Sequence, residues 1–396
     1  MVEENRLVVI HTHPVQYLAP LYREIQRQGV PVTAIYGSDF SVEGYKDEEF
    51  GKSFAWKKDL LSGYDVRFLE RRENGGARSV EQASVEGLWE ALTDIQPTAI
   101  MLSAYYPRFH SLACFISAVY VAKMDAKLLL RAETTDHAEE RGEVKKFLRD
   151  TALSMLYNRF DHFFYIGERS KKHYQRLGIQ DHKMSFSPYS VDVKSFREEE
   201  KHKTELSEKT RKEFGIAQDG LNVLFVGKLS PRKGVDLLID AVAEMDRHRR
   251  GRVSLIFVGQ GSLAEELRAR ARDENVDAHF VGFQQQQDLS QFYHTADVLV
   301  LPSRRGETWG LVVNEALHHG IPAIVSDQVG CAPDLIKEGF TGEVFESGRP
   351  KKLKEEIIKI DEKYKKVPKK RKKIRNFVDK FKIKESAISI SEFLNK

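Results

Sequence analysis

Cysteine is nearly absent: Cys114 and Cys331 stand alone in 396 residues, far apart and without metal-ligand spacing. That argues against a disulfide framework and for a reduced, cytoplasmic setting. No apolar run approaches the roughly 18 residues a membrane-spanning helix needs. The opening MVEENRLVVIHTHP is acidic, and its apolar run is too short for a secretory signal. No internal repeat stands out, nor any low-complexity segment beyond Gln284–Gln287. No nucleic-acid recognition motif occurs, and aromatics are not interleaved with the one basic run, so nucleic acid is not an expected partner. What is present suits folded domains: 41% hydrophobic and 10% aromatic residues suffice for real cores. The length suggests two of them.

The net charge of +4 conceals an asymmetry. Residues 351–396 hold 17 Lys and Arg against 7 Asp and Glu, while the rest of the chain holds 46 against 52. The run KYKKVPKKRKKIR (Lys363–Arg375) suits anionic lipid headgroups. Its basicity alone would also suit nucleic acid, and a solvated tail is the simplest reading. Peripheral contact with the inner face of a membrane therefore stays open beside the cytoplasmic expectation.

Short apolar strands alternate with helical patterns, which argues for α/β domains with parallel sheets covered on both faces. In the first half, strands are expected at Leu7–His11, Val32–Tyr36, Thr98–Ser103 and Lys127–Arg131. Helices are expected at Tyr17–Gln28, Phe109–Ala122 and Val144–Arg159, the last leading into the apolar run His162–Ile166. After SPYSVDVKSF (Ser187–Phe196) the charged stretch Arg197–Arg211 marks a boundary. The alternation restarts with strands at Asn222–Val226, Val253–Val258, Asp297–Leu301 and Ala323–Val325. Helices follow at Val235–Ala243, Leu263–Asp273 and Leu311–His319. The expected domains are 1–196 and 197–375, with a last helix within 376–396 that crosses back to the first. Ligands of open α/β sheets sit outside the C-terminal strand ends, so both sheets would offer those ends to one cleft.

The most informative stretch is Arg304–Gly320, which sets Glu307 and Glu315 eight positions apart around Gly310. Glu307 follows the apolar run Ala296–Pro302, and Glu315 lies about one turn into the next helix. Gly310 has no Cβ, so the backbone N–H groups of Leu311 and Val312 can approach an anion at the helix N-terminus. Strand, glycine loop and helix in that order form a phosphate-site geometry, and the carboxylates suggest hydroxyls on both sides of the phosphate. Further upstream, Lys228 and Lys233 flank a strand-to-helix loop. Each alone reads as an ordinary exposed lysine, but together they can neutralise a diphosphate without a metal. The loop is no Walker loop, because the G-K-[ST] ending is absent.

The segments VGKLSPRKG, VGQGSL, FYHTADVLVLPSRRGETWGLVVNEALHHGIPAIVSDQVGCAPDLI and GFTGEVF, covering most of residues 220–350, resemble the donor domain of family 4 retaining glycosyltransferases. That resemblance implies the GT-B fold, two facing Rossmann-like doubly wound domains with the active site in the interdomain cleft. It implies that Glu307 lies by the donor sugar and that Glu315 binds the ribose hydroxyls. The basic pair on the diphosphate, Arg then Lys in the family, is here Lys228 and Lys233, which keeps charge but loses the arginine fork. Trp309 stands where phenylalanine is common. Asp334 stands where the family often has glutamate, a tolerated variation at a helix start. THPVQYLAPLYREI (Thr12–Ile25), FGKSFAWKKDLLSGY (Phe50–Tyr64), LLLRAETT (Leu128–Thr135) and SPYSVD resemble a narrower subset of that family.

On the acceptor side, the family's glycine-rich loop after the first strand is replaced by His11-Thr12-His13-Pro14. His13 and Gln16 are then candidates to hydrogen-bond sugar or acceptor, although a His beside proline also serves as a helix cap. Arg131 and Glu133 follow a strand end on the cleft side, either as acceptor contacts or as an ion pair that organises the loop. The resemblance offers His137 as an acceptor-side histidine, while His318 and His319 read as packing residues. The expected activity is transfer of a sugar from a nucleotide-diphosphate sugar to a hydroxyl of a glycan, lipid-linked or small-molecule acceptor, with retention. No resident cofactor or metal is expected, since no Asp-x-Asp triplet is suitably placed. Rivals are a nucleotide-sugar epimerase or phosphorylase of the same fold, and a non-catalytic nucleotide-sugar-binding subunit.

Overall fold

The computed structural model describes residues 5–43, 45–47, 52–54, 59–71, 79–136, 142–194, 196, 200–363 and 368–396. His137, residues 50, 51 and 55–58 of the Phe50–Tyr64 segment and residues 364–367 of the basic run lie outside the described residues.

The first half contains strands β1 (Leu7–His11), β2 (Val32–Tyr36), β3 (Tyr45–Asp47), β4 (Lys52–Phe54), β5 (Asp65–Phe68), β6 (Ala99–Leu102), β7 (Lys127–Leu130), β8 (His162–Tyr165) and β9 (Met184–Phe186). Seven of these form one parallel sheet in the order β5-β2-β1-β6-β7-β8-β9, and β3 pairs antiparallel with β4. The second half contains β10 (Leu221–Val226), β11 (Val253–Val258), β12 (Asp277–Gly282), β13 (Val298–Leu301), β14 (Ala323–Ser326) and β15 (Gly342–Phe345). They form a second parallel sheet, β12-β11-β10-β13-β14-β15. Both sheets are of the Rossmann type, as expected. In each, the strand order reverses beside the first strand, between β1 and β6 and between β10 and β13, which is where such sheets open a crevice for ligand.

Continuous apolar runs make the central strands. Every residue of LVVIH in β1 and VSLIFV in β11 is buried, as a strand covered on both faces requires. Strand β1 runs parallel to both β2 and β6, with Leu7 opposite Val32 and Ala99. The charged stretch after the expected boundary is not merely a linker: Lys203–Phe214 is a helix, with Thr210 buried and Phe214 packed on Phe292 at 5.6 Å between rings.

The last helix, Ile383–Leu394, packs on the helix Ala19–Arg27 of the first half. Its Phe393 stacks on His162 at 4.1 Å, and Ser386 donates to the carbonyl of Pro188. The preceding helix, Pro368–Val378, lies on the helix Leu311–His318 and buries Ile374 and Val378. Two cations of the basic run are taken up in that docking. Lys370 Nζ donates to Gly339 O at 2.9 Å, and Arg371 Nη2 donates to Ala296 O at 3.3 Å. These contacts hold helix to body and leave Lys372 and Lys373 exposed.

Candidate functional site

Two glycines assemble the loops around Glu307. Gly310 has φ +100°, and a Cβ there would sit 2.9 Å from Leu301 Cδ2 and 3.1 Å from Val329 Cγ1. The loop after β13 therefore closes tightly before the helix Leu311–His318 begins. The first N–H groups of that helix, at Leu311 and Val312, have no acceptor within it. Gly234 has φ +63°, and a Cβ there would meet Pro302 O at 2.4 Å. Its absence lets the short turn Pro231–Lys233 lie against the β13 loop, which delivers Lys233 to Glu307.

The two form an ion pair, with Lys233 Nζ on Glu307 Oε2, both side chains mostly buried. Ser303 Oγ donates to the same carboxylate oxygen at 2.9 Å. Arg232 Nη1 ties down Gly306 O at 3.0 Å, and Arg304 grips Asp236 with two hydrogen bonds of 2.6 Å. Lys228 is half-buried at the start of the same loop region, just after Gly227. Glu315, only 4% exposed, accepts from Tyr293 Oη at 2.6 Å and from Gln286 Nε2 at 3.2 Å. Burial, reinforced by that carboxylate, pushes the Tyr293 phenol well above its usual range, so it stays a donor. His319 bonds Ser290 Oγ at 2.8 Å and donates to Glu315 O at 2.7 Å, a packing role.

On the other side, a cavity of about 680 Å³ opens at the C-terminal ends of β1, β6 and β7. His11, His13, His110, Ser103, Glu133 and Arg149 supply much of its polar wall. His13 Nδ1 pairs with Thr12 Oγ1 at 2.9 Å, and its ring lies 4.7 Å from Phe40. Burial, with His110 as a lesser cause, lowers the His13 pKa to about 4, and burial alone lowers His110 to about 4. His11 bonds Tyr22 through Nε2 and Ser103 Oγ through Nδ1 at 2.8 Å. Val15 and Tyr17 line the cavity but Gln16 does not; its Oε1 is buried without a hydrogen-bond partner among the described residues.

Arg131 and Glu133 do not form an ion pair among the described residues. Arg131 is buried and clamps the linker instead, donating to Ser187 Oγ at 3.0 Å, Ser187 O at 3.2 Å and Pro188 O at 3.1 Å. Its guanidinium lies 5.0 Å above the Tyr189 ring. Glu133 accepts from Tyr189 Oη and from Tyr17 Oη at 3.2 Å with one oxygen. With the other it accepts from Thr308 Oγ1 at 2.7 Å, which links the first sheet to the loop that carries Glu307.

Further contacts hold the two halves together along this seam. Trp309 Nε1 donates to Asn314 Oδ1 at 2.8 Å, and Asn314 Nδ2 donates to Tyr189 O at 3.2 Å. Gly167 leaves room for Trp309, whose ring would lie 2.4 Å from a Cβ there. Asp334 accepts from Glu168 N with both oxygens, at 3.0 and 3.1 Å, so it caps the helix Glu168–Arg176 of the opposite half. Burial pushes the Asp334 pKa up to about 6. Sequence reasoning missed Thr308, His110 and the capping by Asp334. Thr308 had one signal, its place beside Glu307; the other two had none. Among the described residues no group of three or more His, Cys, Asp or Glu is arranged to hold a metal ion.

Residues 207–380 match the family described as Glycosyl transferases group 1. Among curated proteins, the chain is 29% identical over 152 residues to a lipopolysaccharide 1,2-N-acetylglucosaminetransferase of Salmonella typhimurium, covering 36% of this chain and 39% of that protein. It is 31% identical over 192 residues to a D-inositol 3-phosphate glycosyltransferase of Segniliparus rotundus, covering 47% of this chain and 41% of that protein. The matched stretch thus spans about two fifths of these relatives. Among solved structures, the Anabaena protein Alr3699/HepE in complex with UDP superposes with a TM-score of 0.73 at 18% identity, covering 99% of both chains. The lipopolysaccharide outer core galactosyltransferase WaaB superposes with a TM-score of 0.67 at 16% identity, covering 99% of this chain and 100% of that one. The whole chain therefore has the GT-B fold, and residues 207–380 are similar in sequence to group 1 glycosyltransferases.

Proposed function

We propose, from the premise that residues 207–380 are a group 1 glycosyltransferase domain, that the chain moves a sugar from a nucleotide-diphosphate sugar to an acceptor hydroxyl. The reading is carried by one observation: Glu133, a wall residue of the first-half cavity, is bonded to Thr308, the neighbour of Glu307. Donor-side carboxylate and acceptor-side cavity are thereby parts of one site. We read it further as a family 4 enzyme of the HPVQY subset that retains anomeric configuration.

Charge develops on the nucleotide diphosphate as the glycosidic bond breaks. Lys228, Lys233 and the N–H groups of Leu311 and Val312 would stabilise it electrostatically, with no metal. Lys233 would leave Glu307 for the diphosphate, and Glu307 would orient donor hydroxyls and offset oxocarbenium charge. Attack from the front face, with the departing phosphate taking the acceptor's proton, accounts for retention. Glu315 would hold the ribose, and His13 would face the acceptor. The acceptor is a glycan, lipid-linked or small-molecule hydroxyl, and the setting is surface glycan or glycolipid synthesis.

Calorimetry with free nucleoside diphosphates, followed by a nucleotide-sugar panel, tests the proposal; UDP comes first because the Anabaena neighbour holds it. Binding of one diphosphate and acceptor-dependent turnover of its sugar, with the product anomer matching the donor, is the expected result. Turnover without acceptor would favour an epimerase, phosphate-dependent glycan breakdown a phosphorylase, and tight binding without turnover a non-catalytic subunit. Absence of any nucleotide binding would overturn the donor site itself.

A further inference from the structure

Among the described residues, every large hydrophobic side chain that is exposed falls on two helices of the first half or on the residue leading into them. The helix Glu143–Tyr157 exposes Val144, Phe147, Leu148 and Met155, between 63 and 74%. At 3.6 residues per turn these four share one face. Its opposite face carries Arg149 and Leu153, which line the cavity, and Tyr157, which is fully buried. The helix Arg108–Met124 exposes Leu112 and Phe115 and lends His110 to the same cavity. One pair of helices thus walls the cavity on the inside and presents apolar side chains outside.

Monomeric proteins rarely leave such a patch open without use. Its charge selects the occupant. Lys145 and Arg108 are exposed beside the apolar residues, and Lys146 is exposed in the first turn of the same helix as Lys145, further round it. Of the two acids of the helix Glu143–Tyr157, Asp150 is taken up by Arg176 and by Arg149, leaving Glu143. Lysine is depleted in protein–protein interfaces, whereas helices that lie in a bilayer surface combine lysine on the flank with Phe and Leu on the face. No helix among the described residues is long and apolar enough to cross a membrane.

We propose that the outer faces of these two helices dock on an anionic lipid bilayer, setting the cavity at the membrane surface. If the transferase reading above holds, the acceptor is then a hydroxyl presented by a membrane lipid. This places the lipid contact on the first half and not on the basic run, where Lys370 and Arg371 already hold backbone carbonyls.

Sedimentation with vesicles of phosphatidylcholine alone or mixed with phosphatidylglycerol tests it. Compared are the wild type, a triple variant (Phe115→Ser, Phe147→Ser, Leu148→Ser), a charge variant (Lys145→Glu, Lys146→Glu) and a tail variant (Lys372→Gln, Lys373→Gln). The wild type should pellet with the anionic vesicles. The triple variant should partition about a hundredfold less, the charge variant should lose the preference for anionic lipid, and the tail variant should match the wild type. Equal partitioning of triple variant and wild type, or a wild type that stays in solution with both vesicles, would overturn the proposal. So would a wild-type dimer that the triple variant dissolves in light scattering, which would assign the patch to a second copy. Nucleoside diphosphate binding by the triple variant, measured by calorimetry, should equal wild type and report folding. Loss of that binding in every protein would sink the transferase reading while the sedimentation result stands.

Discussion

Thr308 donates its hydroxyl hydrogen to Glu133 Oε2 at 2.7 Å, joining residues 175 positions apart across the seam between the two sheets. Thr308 neighbours Glu307, so the position of that carboxylate is coupled to the wall of the first-half cavity.

Thr308→Val keeps the shape and removes that donor. Hydrogen bonds to charged groups are worth about 1.5–3 kcal/mol, so kcat/KM should fall roughly tenfold to a hundredfold. Affinity for free nucleoside diphosphate should change little, because Lys233 and Glu315 are untouched. Steady-state kinetics beside calorimetry checks both parts, and an unchanged kcat/KM would remove the seam from the mechanism.

Glu315→Ala should weaken nucleoside diphosphate binding on the order of tenfold to a hundredfold, as a ribose diol loses a charged acceptor. It also strands the buried Tyr293 hydroxyl, at a cost of about 1–3 kcal/mol in stability. Tyr293→Phe separates the two effects, since it removes the donor and keeps the carboxylate. If both variants bind nucleotide equally poorly, the carboxylate serves packing and not ribose.

Lys233 is paired with Glu307, so a diphosphate bound by Lys233 would have to compete with that carboxylate. Lys233→Met should lower diphosphate affinity about tenfold or more and reduce its dependence on salt, because screening acts on the charge removed. With lysines supplying the charge, turnover should persist in excess EDTA. Loss of activity in chelator that magnesium restores would overturn the metal-free account.

The central strands were legible because they are buried on both faces and so read as unbroken apolar runs. LVVIH and VSLIFV are examples, and their limits match the expectation. Strands at the sheet edges were not. β12, DAHFVG, is partly exposed along its length and shows no such run, and β9 has three residues. The Gly310 loop was readable because glycine before a helix after a strand has one local meaning. The partners of Arg131 and Glu133 were not, since Ser187, Tyr189 and Thr308 reach them only through the packing of sheet on linker and half on half. Asp334 looked like a variation within its own helix because its role, capping Glu168 of the other half, has no local signature.

The histidines of the cavity set the acid limit. Burial holds His13 and His110 near pKa 4, against about 6.5 in the unfolded chain. Both rings are therefore neutral at pH 7, and His13 can accept a hydrogen bond from an acceptor hydroxyl at either edge of the neutral range. If His13 acts there, the acid limb of kcat/KM should descend through about pH 4 and not through 6.5. Stability follows the same protons. Between pH 6.5 and 4 the unfolded chain binds protons that the native rings refuse, so stability is fully present above 6.5 and drains as pH falls toward 4. Each group adds a slope of up to about 1.4 kcal/mol per pH unit in that window. His13→Asn fills a similar volume without titrating, so its melting temperature should decline less steeply over the same range. Thermal melts of both proteins at half-unit steps from pH 4 to 7 measure the difference. Parallel curves would mean that His13 is solvated in the native state, and its neutral role in the cavity would fall with that.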